Sequence, residues 1–170
     1  MLNEKVAQLL NEQVNAELYS AYLYLHFANF YVEQGLDGFA NWYQIQAQEE
    51  RDHAMLFIKY MQNNDAKVTY EEIKKPNVPL NANADALVAG LAHERHVTAL
   101  INNIYEAAHS EKDFRTMQFL DWFIKEQGEE ETNASDLIKK LELFGSDPKS
   151  LYMLNQELAS RTYSAPSLTL

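Results

Sequence analysis

From Leu2 to about residue 33 the chain holds neither Pro nor Gly, and apolar residues return every three or four positions: Leu10, Val14, Ala21, Tyr24, Ala28 and Tyr31. That period predicts an amphipathic helix. One acid, Glu17, interrupts its stripe. Gly35 and Asp37-Gly38 predict a short turn, with Asp37 as N-cap of a second helix over about 38–64. The short link makes these two helices antiparallel neighbours. The second stripe reads Phe39, Trp42, Ile45, Leu56, Phe57, Tyr60 and Met61, with Glu50 and His53 one turn apart on the same face.

Residues 65 to about 82 break the pattern with Val68-Thr69-Tyr70, Pro76, Pro79 and several Asn. A connection of this length can cross a four-helix bundle from end to end, so the third helix should run parallel to the second. The third helix, about 83–110, carries Leu87, Leu91, Glu94, Val97, Ile101, Ile104 and Ala108 on one stripe. A short turn follows, with Ser110 or Asp113 as the cap. The fourth helix, about 114–144, carries Leu120, Phe123, Gln127, Glu130, Ala134, Leu137 and Leu141. Gly128 inside it weakens the helix by about 1 kcal/mol relative to Ala, with no reason visible in the sequence. Gly145-Ser146-Asp147-Pro148 stops this helix and starts a short fifth one reaching about residue 160. Arg161 to Leu170 reads as a loose end. The expectation is an all-α fold: a four-helix bundle with a long crossover between helices two and three and a short fifth C-terminal helix. It forms one domain over 1–160, followed by a tail over 161–170.

Composition narrows the function. A chain of 170 residues, 46% hydrophobic, fits one domain with a substantial core. No apolar run is long enough to span a membrane, and the N-terminus lacks the basic-then-apolar pattern of a signal peptide. The absence of cysteine excludes disulfides, thiolate metal sites and iron–sulfur clusters, and leaves a cytoplasmic location as the default. A net charge of -11 argues against nucleic acid and favours cations as partners, although it also fits a merely soluble acidic surface.

The chemistry lies in the interruptions. A buried carboxylate beside a buried imidazole is costly unless something compensates, and a divalent metal ion does so. Glu-x-x-His on a bundle helix is a di-iron carboxylate pattern. Each of the four long helices places one acid on its core stripe near mid-length: Glu17, Glu50, Glu94 and Glu130. Antiparallel pairing brings all four to one level. Four carboxylates in an apolar core cannot all ionise unaided. Oxygen-rich ligation with one imidazole suits iron or manganese better than zinc. The ligand count implies two ions bridged by Glu50. The halves repeat faintly, Glu17 preceding Glu50-x-x-His53 and Glu94 preceding Glu130-x-x-Asn133. Asn133 stands where a second His would, so the site should be lopsided, with the second ion held more weakly.

The segments around these acids carry a resemblance: Asn-Glu-Gln-Val-Asn-Ala-Glu-Leu-Tyr around Glu17, Gln-Glu-Glu-Arg-Asp-His-Ala around Glu50, His-Glu-Arg-His-Val-Thr around Glu94 and Lys-Glu-Gln-Gly-Glu-Glu-Glu around Glu130. Over residues 1 to about 160 the chain resembles the bacterial non-haem ferritins. The resemblance implies a ferritin-like bundle assembled as a homo-oligomeric shell of twenty-four subunits. It further implies a ferroxidase centre that oxidises Fe(II) with dioxygen or peroxide and passes Fe(III) to a stored mineral. Glu17, Glu50 and His53 match the family's first iron site. Glu94 and Glu130 match the second, with Glu50 bridging and Gln127 lining it. Glu49, Glu126, Glu129 and Glu130 match a nearby third iron site, and the fifth helix matches the one lining the four-fold axis.

Spacing independently puts Glu126, Glu129 and Glu130 on one helix face, beside Glu49 on a facing helix; such a face could hold a cation in transit or be simply solvated. Tyr24 could be a core aromatic or could hydrogen-bond a ligand carboxylate or supply an electron, and the resemblance favours a place near the irons. Trp122 reads as packing, and the methionines Met55, Met61 and Met117 read as core. His26, His93, His96 and His109 lie off the metal stripe. No haem is expected, because Arg51 and Asp52 stand between Glu50 and His53 where haem-binding bacterioferritins carry a methionine. The alternative is a di-iron carboxylate oxidase or peroxidase without mineral storage.

Overall fold

The computed structural model describes residues 2–170. In chain order it has α1 (Glu4–Glu33), α2 (Asp37–Asn63), α3 (Asp85–Ser110), α4 (Phe114–Phe144) and α5 (Pro148–Ala159), and no strand among the described residues. The helix bounds fall within two residues of those expected, the ordinary spread at frayed ends.

Side-chain pairs fix the directions. Tyr31 stacks on Phe39 and Tyr24 lies against Tyr43, so α1 and α2 run antiparallel. Thr98 meets Glu131 and Tyr105 meets Asp121, so α3 and α4 do the same. Ser20 pairs with His93 and Tyr31 with the Asn83 carbonyl, which sets α3 antiparallel to α1 and parallel to α2. The 64–84 connection therefore travels the length of the bundle, as its prolines and length imply. It lies along α1, where the Asn11 and Asn15 carboxamides accept the backbone N–H groups of Thr69 (2.7 Å) and Glu71 (2.9 Å). These bonds satisfy backbone N–H groups of a segment that belongs to no helix.

Local signals explain most helix starts. The Asn3 side chain accepts from the Lys5 N–H at 2.8 Å, Asp113 from Thr116 at 3.0 Å, and Asp147 from Ser150 at 2.8 Å, with Pro148 in the first turn of α5. The expected cap at Asp37 does not form, because Asp37 is already inside α2. Asn155 of α5 caps that end instead: its Oδ1 accepts the N–H of Gly38 at 2.8 Å and of Phe39 at 3.3 Å. The approach is so close that a Cβ on Gly38 would collide with the Asn155 backbone carbonyl. Gly128 has no such reason, since open space surrounds it.

The core is two apolar clusters with a polar layer between them. Phe27, Tyr31, Phe39, Leu87, Leu137 and Leu154 belong to the cluster nearer α5; Leu10, Phe57, Met61, Ile101, Leu120 and Phe123 belong to the other. Met61 is buried as expected, but Met55 is 47% exposed and is not core: it lies two residues past His53, off the buried stripe. The expected loose tail is also corrected at its start. The Arg161 guanidinium stacks over Trp42 at 4.1 Å and donates to Glu49 at 2.7 Å. Tyr163 donates to Asp52, and Trp122 to the Ser167 hydroxyl.

Candidate metal centre

The polar layer is built from all four long helices. Glu17, Glu50, His53, Glu94 and Glu130 are each at most 7% exposed, and Gln13, Ser20, Gln46 and Gln127 are buried with them. Helical periodicity forces this: each lies one or two turns from fully buried residues of its own stripe, such as Val14, Phe57, Val97 and Phe123. The matched heights of the four glutamates follow from the antiparallel pairings.

Among the described residues, Glu17, Glu50 and His53 form one group that brings a ligand atom from each within 4.8 Å of the others. The His53 Nδ1 lies 3.3 Å from Glu50 Oε2. Its ring is held edge-on by Trp122 and Phe123, at 5.5 and 5.8 Å between centroids. Gln13 donates to Glu17 Oε1 at 2.8 Å. Glu17 Oε2 and Glu50 Oε1 are buried with no hydrogen-bond partner. An orphaned pair of carboxylate oxygens in a dry core is a strong cost. Two remedies exist: a shared proton or a cation. Burial, and then the facing carboxylates, push the Glu17 and Glu50 carboxyls well above their ordinary value.

Glu94 and Glu130 are held differently. Tyr24 donates to Glu94 Oε1, and Gln127 donates to Glu94 Oε2 at 3.1 Å. Gln46 donates to Glu130 Oε2 at 2.8 Å. Burial raises both carboxyls, Glu130 to about 8 with Glu94 contributing next. Tyr24 keeps its proton, because burial and Glu94 raise its phenol well above the ordinary value. A cavity of about 20 Å³ beside Glu94 and Glu130, lined also by Tyr24, Tyr43 and Gln46, is close to the size of one water. Asn133 also borders this cavity.

The outer acids are not drawn together in the same way. Glu49 is ion-paired with Arg161; its carboxyl is nevertheless raised, by partial burial foremost. Glu126 is half-buried, and Glu129 is 60% exposed and 3.5 Å from the Lys125 ammonium. The histidines off the stripe stay off it. His93 exchanges a 2.7 Å hydrogen bond with Ser20, and burial, with His96 second, lowers it to about 4, so it is neutral near pH 7. His96 and His109 are exposed.

Two of the buried glutamines, Gln13 and Gln46, were not anticipated from the sequence. Gln13 is one turn from Glu17 and Gln46 one turn from Glu50, a regularity that could have marked them as donors to the acids. Arg161 had no local signal, because its partners are more than a hundred residues away.

Four-helix bundles with carboxylates from every helix and an imidazole at one buried level define a class, that of carboxylate-rich metal-binding bundles. Within it, the chain belongs to the ferritin family: the ferritin-like domain family model matches residues 7–144. It is 36% identical over 164 residues to a bacterial non-heme ferritin of Staphylococcus epidermidis, covering 96% of this chain and 99% of that one. It is also 36% identical over 156 residues to that of Campylobacter jejuni, covering 92% and 93%. Among solved structures, the fold is similar to a closed form of Archaeoglobus fulgidus ferritin engineered by mutagenesis, with a TM-score of 0.93 and 39% identity over 96% of this chain and 100% of that one. An open-pore ferritin from the same archaeon matches with a TM-score of 0.92 and 40% identity over 95% and 98%.

Proposed function

We propose that this protein oxidises Fe(II) with dioxygen or peroxide and stores the Fe(III) product as mineral inside a homo-oligomeric shell of twenty-four subunits, acting in the cytoplasm. The observation that carries the reading is the orphaned pair, Glu17 Oε2 and Glu50 Oε1, beside the His53 imidazole. Iron is the substrate. Glu17, Glu50 and His53 hold the first Fe(II), and Glu50, Glu94 and Glu130 hold the second, with Gln127 lining it. Tyr24 positions Glu94 through its hydroxyl.

Each residue has a definite task. Ionised carboxylates favour the ferric state, because hard oxygen donors stabilise the higher charge. The orphaned oxygens give Fe(II) a ready position once their proton leaves. The apolar clusters on either side exclude bulk water and strengthen every charge interaction in the layer. The second ion has no imidazole, because Asn133 replaces the second His of the repeated pattern, so it is held more weakly and leaves first. Glu49, Glu126 and Glu129, with Glu130 reaching inward, offer it a third position on the way out. The domain proper is 1–160, and the tail lies over it.

The test is direct. Native mass spectrometry reads the assembly, and aerobic Fe(II) addition reads the ferric absorbance and the soluble iron retained per shell. A large particle that oxidises and keeps iron is expected, with Glu50→Ala and His53→Ala slowing the rapid phase strongly. Oxidation without retained mineral would favour an oxidase or peroxidase, and a monomer that oxidises no iron would end the storage reading.

A further inference from the structure

The C-terminal segment crosses the bundle beside the metal layer. Asn41 on α2 donates to the carbonyls of Leu158 (3.2 Å) and Arg161 (3.1 Å) and fixes where the segment leaves α5. The Arg161 guanidinium makes three contacts there: it lies over the Trp42 ring at 4.1 Å, donates to the Trp42 carbonyl at 3.2 Å, and donates to Glu49 Oε2 at 2.7 Å. The Arg161 and Glu49 side chains are only 20% and 17% exposed, so water screens this pair little. Farther along, Tyr163 donates to Asp52 at 2.5 Å and Trp122 donates to Ser167 at 3.0 Å. Leu168 packs on the apolar cluster that holds Phe57 and Phe123. The segment thus binds α2 at Trp42, Glu49 and Asp52 and reaches α4 at Trp122, whose ring also braces His53.

Glu49 cannot serve Arg161 and a metal ion at full strength together. A divalent cation on Glu49 would place two positive charges about one carboxylate apart in a half-buried setting, where the repulsion is strong. We propose that Arg161 is a tethered cation that holds the Glu49 position closed, and that residues 161–168 form a strap that must release before a third metal ion binds there. The strap deepens the proposed function, resting on Glu49 as a ligand of that third ion.

The intact assembled protein, titrated anaerobically with Zn(II) in a calorimeter, tests this. In the unaltered protein two binding steps should precede a weak third. Arg161→Ala should tighten the third step by about tenfold and leave the first two unchanged, and Arg161→Lys should keep it weak. Hydrogen exchange in a peptide covering 161–168 gives a second readout: it should rise in the unaltered protein only as the third step fills. A third step equal in the unaltered and Ala proteins, or tail exchange indifferent to Zn(II), overturns the strap. Absence of the first two steps overturns the functional reading, and the strap with it.

Discussion

Gln46 Nε2 donates to Glu130 Oε2 at 2.8 Å and so ties α2 to α4 within the polar layer. The glutamine is 5% exposed and the glutamate 7%. Gln46→Ala would leave a buried carboxylate oxygen without its donor, a loss of about 1–3 kcal/mol. Chemical denaturation of the metal-stripped variant should show that drop, and bound Zn(II) should recover part of it by replacing the missing donor. An unchanged midpoint would mean that water takes the place of Gln46.

The same layer sets a pH dependence. Burial first, and Glu94 second, raise Glu130 from 4.5 to about 8, and Glu17, Glu50 and Glu94 are raised as well, by burial foremost. A carboxyl raised in the folded state keeps a proton that the unfolded chain gives up. The folded form therefore binds more protons, and stability falls as pH rises from the unfolded value through the folded one. Metal-stripped protein should lose melting temperature steadily between about pH 4.5 and 8. Zn(II)-loaded protein should lose far less, because the ion holds the carboxylates in their charged form, and its uptake should release protons. A flat profile for the stripped protein would show that the acids ionise without penalty and would remove the argument for a metal-dependent layer.

The long helices and the four buried glutamates were legible in the sequence because both depend on period alone. A stripe of apolar residues around Glu17, Glu50, Glu94 and Glu130 can be read one helix at a time, and the short and long links decide the helix directions. What was not legible depends on contacts between distant segments. Asn155 as the cap of α2 could not be inferred from residues near 37, where Asp37 offered a plausible local alternative. The tail looked loose because a stretch such as Arg161 to Leu170 has no period, and its anchors Trp42, Glu49, Asp52 and Trp122 lie on other helices. The expected outer acid cluster was half legible: the spacing of Glu126, Glu129 and Glu130 put them on one face, but not how unequally they are buried or that Arg161 engages Glu49.

Asn155 makes a prediction of its own. Its side chain accepts two N–H groups at the start of α2 from 7% exposure. Asn155→Ala removes the cap and should cost about 0.5–2 kcal/mol. Because α5 touches α2 through this contact, hydrogen exchange should rise at both the Gly38–Phe39 amides and the α5 amides in the variant. Increased exchange confined to α5 would mean that α2 starts without help.

Tyr24 offers the sharpest test of the layer's chemistry. Its hydroxyl donates to Glu94 Oε1 while Gln127 donates to Oε2, so the carboxylate is fixed from two sides before any ion arrives. The phenol stays protonated under every physiological condition, since burial and the Glu94 charge both oppose its ionisation. Tyr24→Phe keeps the ring, with its packing against Phe27 and Tyr43, and removes only the donor. The fold should survive. The weaker of the two inner metal-binding steps should lose about 10–100-fold in affinity, the usual effect of freeing a ligand from its outer hydrogen bond, while the step held by Glu17, Glu50 and His53 stays within about twofold. Tyr105→Phe, which removes a hydroxyl from an exposed bond to Asp121 far from the layer, is the control and should change neither step. Anaerobic Co(II) titration read by its visible spectrum separates the two steps. Equal weakening of both would show that Tyr24 supports the layer as a whole, and no weakening would show that Gln127 alone orients Glu94.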